Sequence, residues 1–120
     1  MYIIYGLGIS GIATAKYLLQ NNYKIIITDD NNLAIEGAQL KLANEILQHK
    51  NNVQFVKSNE IEKFCDKNTI IVFAPGIPLY YPKRHAILEI VKKTAAKLLC
   101  DVELFYLFNC EKSICSFFLT

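Results

Sequence analysis

The chain has 120 residues, 52% of them hydrophobic and 20% charged, which suits one folded domain and excludes a disordered chain. Its formal net charge is +2, with no long run of either sign, so nothing electrostatic marks a nucleic-acid binder. Apolar stretches such as residues 70–74 and 117–119 fall far short of the roughly 20 residues that a spanning helix needs, so no membrane association is expected.

Residues 2–5 form a brief apolar run stopped by Gly6, too short for a helix and rich in strand formers. Residues 10–20 read as a helix with Ile12, Ala15 and Leu19 on one face and Ser10 as its cap. Three consecutive isoleucines within residues 24–28 suit a strand buried on both faces. A second helix is expected over residues 38–49, with Leu40, Ala43 and Leu47 as its apolar stripe. Strands follow at 53–56 and 69–73, with a weak helical turn at 59–64 between them. Pro75, Pro78 and Pro82 punctuate a loop; then 83–96 reads as helix and 97–99 as a short strand. A last helix at 101–108 and a last strand at 113–118 complete the reading. Strand and helix alternating at this spacing predict βαβ units, hence a single α/β domain: a Rossmann-like, doubly wound parallel sheet. In that architecture ligands sit at the carboxyl ends of the strands.

Ala13-Thr14-Ala15 mimics a signal-peptide cleavage site. No basic residue precedes it, and glycines 6, 8 and 11 interrupt the apolar segment, so a cytoplasmic location is expected. Cys65, Cys100, Cys110 and Cys115 include no C-x-x-C pair, and His49 and His85 lie far apart. Reduced thiols are therefore expected, with no disulfide framework and no metal site.

Gly6-Leu7-Gly8-Ile9-Ser10-Gly11 is a full G-x-G-x-x-G between a predicted strand and a predicted helix. The first glycine permits a tight turn, the second lets the backbone approach a diphosphate, and the third allows close helix–strand packing. Free N–H groups at the helix start, helped by its dipole, bind phosphates. Asp29-Asp30 closes the second strand, where an acidic residue commonly holds a ribose hydroxyl. On these residues alone a dinucleotide is the default ligand. Phe73-Ala74-Pro75-Gly76-Ile77-Pro78 follows the fourth strand and so lies at the same sheet edge, a rigid loop able to offer main-chain groups to a planar ligand.

Taken together, Tyr5-Gly6-Leu7-Gly8-Ile9-Ser10-Gly11, Thr28-Asp29-Asp30, Ala74-Pro75-Gly76-Ile77-Pro78 and Asp101-Val102-Glu103-Leu104-Phe105 resemble the N-terminal domain of the Mur ligases. These are ATP-dependent enzymes that add amino acids to UDP-N-acetylmuramoyl precursors of peptidoglycan, and the order and spacing are most similar to the D-glutamate-adding branch. The resemblance implies a UDP-sugar-binding domain over residues 1–112, with UDP-N-acetylmuramoyl-L-alanine as ligand, and the start of a central ATP-binding domain over 113–120. By position, Gly6, Gly8, Ile9, Ser10 and Gly11 would hold the diphosphate. Asp29, Asp30 and Asn31 would face the uridine, and Gly76 would lie against the uracil. Asn31 stands where the family often carries an arginine, whose plane stacks on a base as an asparagine does not. Asp101 and Glu103 match a segment with an implied structural role at the end of the domain.

No G-x-x-x-x-G-K-[ST] occurs in the sequence, so the ATP and Mg2+ of the family are not expected to bind this chain, which should not catalyse ligation alone. The expectation is a fragment, a split-gene piece or the product of a decaying gene, with a separate chain able to carry the central and C-terminal ligase domains. Two other readings compete with a UDP-sugar module: an NAD(H)-binding domain of a dehydrogenase or redox-sensing regulator, and a folded relic with no ligand.

Overall fold

A computed structural model describes residues 1–74, 85–100 and 104. Five strands, β1 (Tyr2–Tyr5), β2 (Ile25–Thr28), β3 (Val53–Phe55), β4 (Ile70–Phe73) and β5 (Lys97–Leu99), pair in parallel in the order β3-β2-β1-β4-β5. Tyr5 is aligned with Thr28 of β2 on one side and with Phe73 of β4 on the other. Strand order therefore reverses beside β1, whose carboxyl end opens the crevice where α/β sheets bind ligands.

Successive strand residues point to opposite faces, and each face has its own core. Ile4, Ile25, Ile27 and Val72 pack under helix α1 (Ile9–Gln20) and helix α2 (Asn32–Lys41), meeting Ile12, Ala15, Leu18, Leu19, Ile35, Ala38 and Leu42. Ile3, Tyr5, Ile26, Ile71 and Phe73 pack on the other face against Val56, Ile61 and Ile87. Those partners come from the connection after β3, from a 3-10 helix (Ser58–Phe64) and from helix α4 (Ile87–Thr94). All four residues of β2 are buried, as a strand covered on both faces requires. The fold is the doubly wound α/β sheet that the alternation of elements predicts.

Three local expectations need correction. The helix read at 38–49 is two: α2 begins earlier, at Asn32, and gives way at Leu42 to the short helix α3 (Ala43–Gln48). Its expected stripe faces water, with Leu40 81% and Leu47 77% exposed. The buried stripe is Ile35, Ala38 and Leu42, continued by half-buried Ile46. Both stripes fit a helical repeat, and packing on the sheet selects the second. Ser10 is not the cap of α1: Gly8 occupies that position without a side-chain bond, and the Ser10 carbonyl accepts from Thr14 Oγ1 at 2.8 Å. Helix α4 starts at Ile87 and ends where Ala95 turns left-handed at φ 61°. The last strand expected at 113–118, the boundary expected at 112–113 and most of the helix expected at 101–108 lie outside the described residues, although Leu104 is helical and buried.

Candidate functional site

The glycine loop leaves β1 at Gly6, whose φ of 102° is open to glycine at little cost. Its N–H donates to the Thr28 carbonyl at 3.0 Å, so the turn stays attached to β2. At Gly11 the reason for glycine is steric: an added Cβ would lie 2.0 Å from the Gly6 carbonyl oxygen. Gly8 differs from both. Its backbone is ordinary, with φ −74° and ψ −166°, it is exposed, and an added Cβ would meet no atom within 4 Å. Nothing inside the described chain calls for a glycine there, whereas a ligand lying on the backbone would. The Ile12 N–H is the first to reach a helical carbonyl, that of Gly8 at 3.0 Å. The N–H groups of Ile9, Ser10 and Gly11 thus precede the helical ladder, at the positive end of the α1 dipole. No acidic side chain occupies that first turn.

The two aspartates after β2 are used differently. Asp29 folds back on the chain, accepting from the Leu7 N–H at 2.7 Å through Oδ2 and from the Asn31 N–H at 2.8 Å through Oδ1. It ties the acidic turn to the glycine loop. Asn31 caps α2, its Oδ1 accepting from the Leu33 N–H at 2.9 Å.

Asp30 accepts from the Tyr5 hydroxyl through Oδ1 and meets His85 Nε2 through Oδ2 at 2.7 Å. Burial pushes its carboxyl up, but hydrogen bonds from Tyr5, His85 and Ser58 outweigh burial and hold it below the usual carboxylate value. The Tyr5 phenol moves the other way: burial, then the hydrogen bond to Asp30 and the charge of Asp30, raise it well above an ordinary tyrosine. The His85 ring stands edge-on to Tyr5 and to Phe73, with centroids 5.3 and 5.2 Å away.

Structure therefore gathers Gly6, Gly8, Ile9, Ser10, Gly11, Asp29, Asp30 and Asn31 at one end of the sheet, as the motif spacing predicts. Gly76, expected at the same edge, lies outside the described residues, as do Asp101 and Glu103. Tyr5 and His85 are additions that sequence reading did not single out as site residues. The alignment of Tyr5 with Thr28 is a signal for the first, since it sets the phenol next to the acidic turn. No local signal exists for His85, which is 55 residues from its partner. The arrangement offers N–H donors for an anion and carboxylate acceptors for hydroxyl or N–H groups. Among the described residues no group of three or more His, Cys, Asp or Glu is placed to hold a metal ion, and no helix is long and apolar enough to cross a membrane.

Residues 1–96 match the family described as Mur ligase MurD-like, N-terminal domain. The chain is 29% identical over 103 residues to the UDP-N-acetylmuramoylalanine–D-glutamate ligase of Bartonella henselae, and 32% identical over 103 residues to that of Brucella abortus. In each case the match takes in 85% of this chain and 19% of the relative, so the chain spans about a fifth of the length of these ligases. Among solved structures, the malate dehydrogenase of Aeropyrum pernix superposes with a TM-score of 0.56 at 22% identity, over 82% of this chain and 35% of that one. At that identity the likeness is one of fold.

Proposed function

The chain belongs to the Mur ligase MurD-like N-terminal domain family, and from this we propose that it is the UDP-N-acetylmuramoyl-L-alanine-binding domain of a D-glutamate-adding ligase. Gly8 carries the reading: an exposed, unstrained, uncrowded glycine at the N-terminus of α1 leaves room for a diphosphate against the backbone. Ile9 and Ser10 offer the N–H groups for it, while Asp30 and Asn31 border the uridine. The dinucleotide alternative has less support: the likeness to the malate dehydrogenase is one of fold at 22% identity, whereas the family match covers residues 1–96.

The residues present do not fit the ATP and Mg2+ of the ligase reaction. Their glycine loop runs Gly11-Ile12-Ala13 and not glycine-lysine-threonine, and we assign no ATP site to this domain. In this reading the central and C-terminal ligase domains supply that chemistry, and the domain described here contributes affinity and orientation for the nucleotide half of the substrate. Calorimetric or NMR titration tests it. The expected result is binding of UDP-N-acetylmuramoyl-L-alanine in preference to NADH, with a Kd on the order of 0.1–1 mM, because one domain gives only part of a cleft. Tighter binding of NADH overturns the proposal.

A further inference from the structure

We infer that Tyr5 and His85 are positioning residues that hold Asp30 as the ligand-facing carboxylate of the crevice, while Asp29 serves only the scaffold. The inference rests on the nucleotide-binding reading above and names a device within that site. The division between neighbouring acids is geometric. Asp29 accepts from two backbone N–H groups of its own turn and of the glycine loop. Asp30 is held by side chains from other elements, the Tyr5 hydroxyl on Oδ1 and His85 Nε2 on Oδ2 with Ser58 beside them, and its side chain stays 51% exposed. A carboxylate offers about four acceptor positions, so Asp30 retains acceptor capacity for a ligand even with all of these donors bound.

Both holding groups are themselves held. His85 Nδ1 accepts from the Ile87 N–H at 3.0 Å, which leaves the ring proton on Nε2, aimed at Asp30. The imidazole is 14% exposed and edge-on to Tyr5 and Phe73, whose rings lie 5.1 Å apart. Tyr5 is 3% exposed at the end of the central strand. The chain of contacts thus runs from β1 to the turn after β2 and to the start of α4, bridging both sides of the point where strand order reverses. A half-exposed carboxylate adds little to stability through such contacts. What they do achieve is a fixed direction for an acceptor at the mouth of a crevice, which is how binding sites lower the entropy of recognition. Hydrogen bonds from Tyr5 and His85 also favour the ionised carboxylate, an acceptor-only group. Its natural partner is a hydroxyl or N–H donor on the nucleoside, either a ribose hydroxyl or the uracil N3–H.

The test titrates the intact chain with UDP and, separately, with inorganic diphosphate, following amide and imidazole NMR signals. His85→Leu and Tyr5→Phe are each expected to weaken UDP by about three- to tenfold, the effect of one hydrogen bond, and to leave diphosphate binding unchanged. His85→Gln, which keeps a side-chain N–H donor, is expected to recover most of the loss, a rescue that a purely structural role does not produce. Imidazole nitrogen shifts should place the ring proton on Nε2. UDP methylated at N3 and UDP lacking the 2′-hydroxyl separate the two donors: the one that binds worse and ignores Tyr5→Phe identifies the group on Asp30. If His85→Leu and Tyr5→Phe bind UDP as the parent does, the inference is overturned and the nucleotide reading stands. It is also overturned if the variants lose UDP and diphosphate equally, or if neither analogue binds worse than UDP. If the parent chain itself does not bind UDP, the nucleotide reading fails and the inference with it.

Discussion

Gly11→Ala puts the packing of α1 against the first turn to a direct test. The new Cβ would stand 2.0 Å from the Gly6 carbonyl oxygen and 3.1 Å from its carbon, with Ile4 Cγ2 a further 3.8 Å neighbour. Comfortable contact needs about 3.5 Å, so α1 and the turn must separate by more than 1 Å. Gly6 has little freedom to retreat, because its N–H is bonded to the Thr28 carbonyl at 3.0 Å and its φ is 102°. Overpacking typically costs about 1–3 kcal/mol, and a clash between backbone and an immobile Cβ belongs at the top, ~3 kcal/mol. At ~4–8 °C per kcal/mol, the melting temperature should fall by ~12–24 °C. Gly8→Ala is the matched control. It meets no atom within 4 Å at a φ of −74°, so only a change of cap residue remains. That change is worth less than ~1 kcal/mol and under ~8 °C. Thermal unfolding followed by circular dichroism reads both variants. Equal melting temperatures for the two would refute the packing described here.

Gly8→Val should remove binding of the UDP-sugar while the fold survives, since two methyl groups would occupy space open to phosphate oxygens; intact titration of this variant would place the phosphate site elsewhere. Thr28→Val should raise stability by about 1 kcal/mol, because Thr28 Oγ1 is buried without a hydrogen-bond partner among the described residues and valine keeps its shape. A loss of stability on chemical denaturation would show that the hydroxyl is satisfied. Tyr5 predicts an alkaline limb: a phenol whose value is raised in the folded state contributes fully below its unfolded value of 10.0 and loses that contribution as pH climbs above it. Tyr5→Phe should therefore flatten the fall in stability above pH 10, and an unchanged slope would contradict the shift.

Much of this protein was legible in its sequence, for reasons of short range. Three isoleucines in a row cannot alternate between core and water, so β2 had to be covered on both faces, and it is. Glycines 6 and 11 answer to geometry within one turn, and the acidic pair follows its strand directly, so spacing alone placed them at one edge. Long-range choices were not legible. Two helical stripes, Leu40–Ala43–Leu47 and Ile35–Ala38–Leu42, share the same periodicity, and only the position of the sheet decides which one is dry. Which aspartate turns inward depends on the Leu7 N–H, brought to Asp29 by the pairing of β1 with β2, and only the Asn31 N–H is a local partner. The contact between Asp30 and His85 joins residues 55 apart, and no local pattern encodes it. It exists because β1 lies between β2 and β4, so the segments that follow those two strands meet over Tyr5.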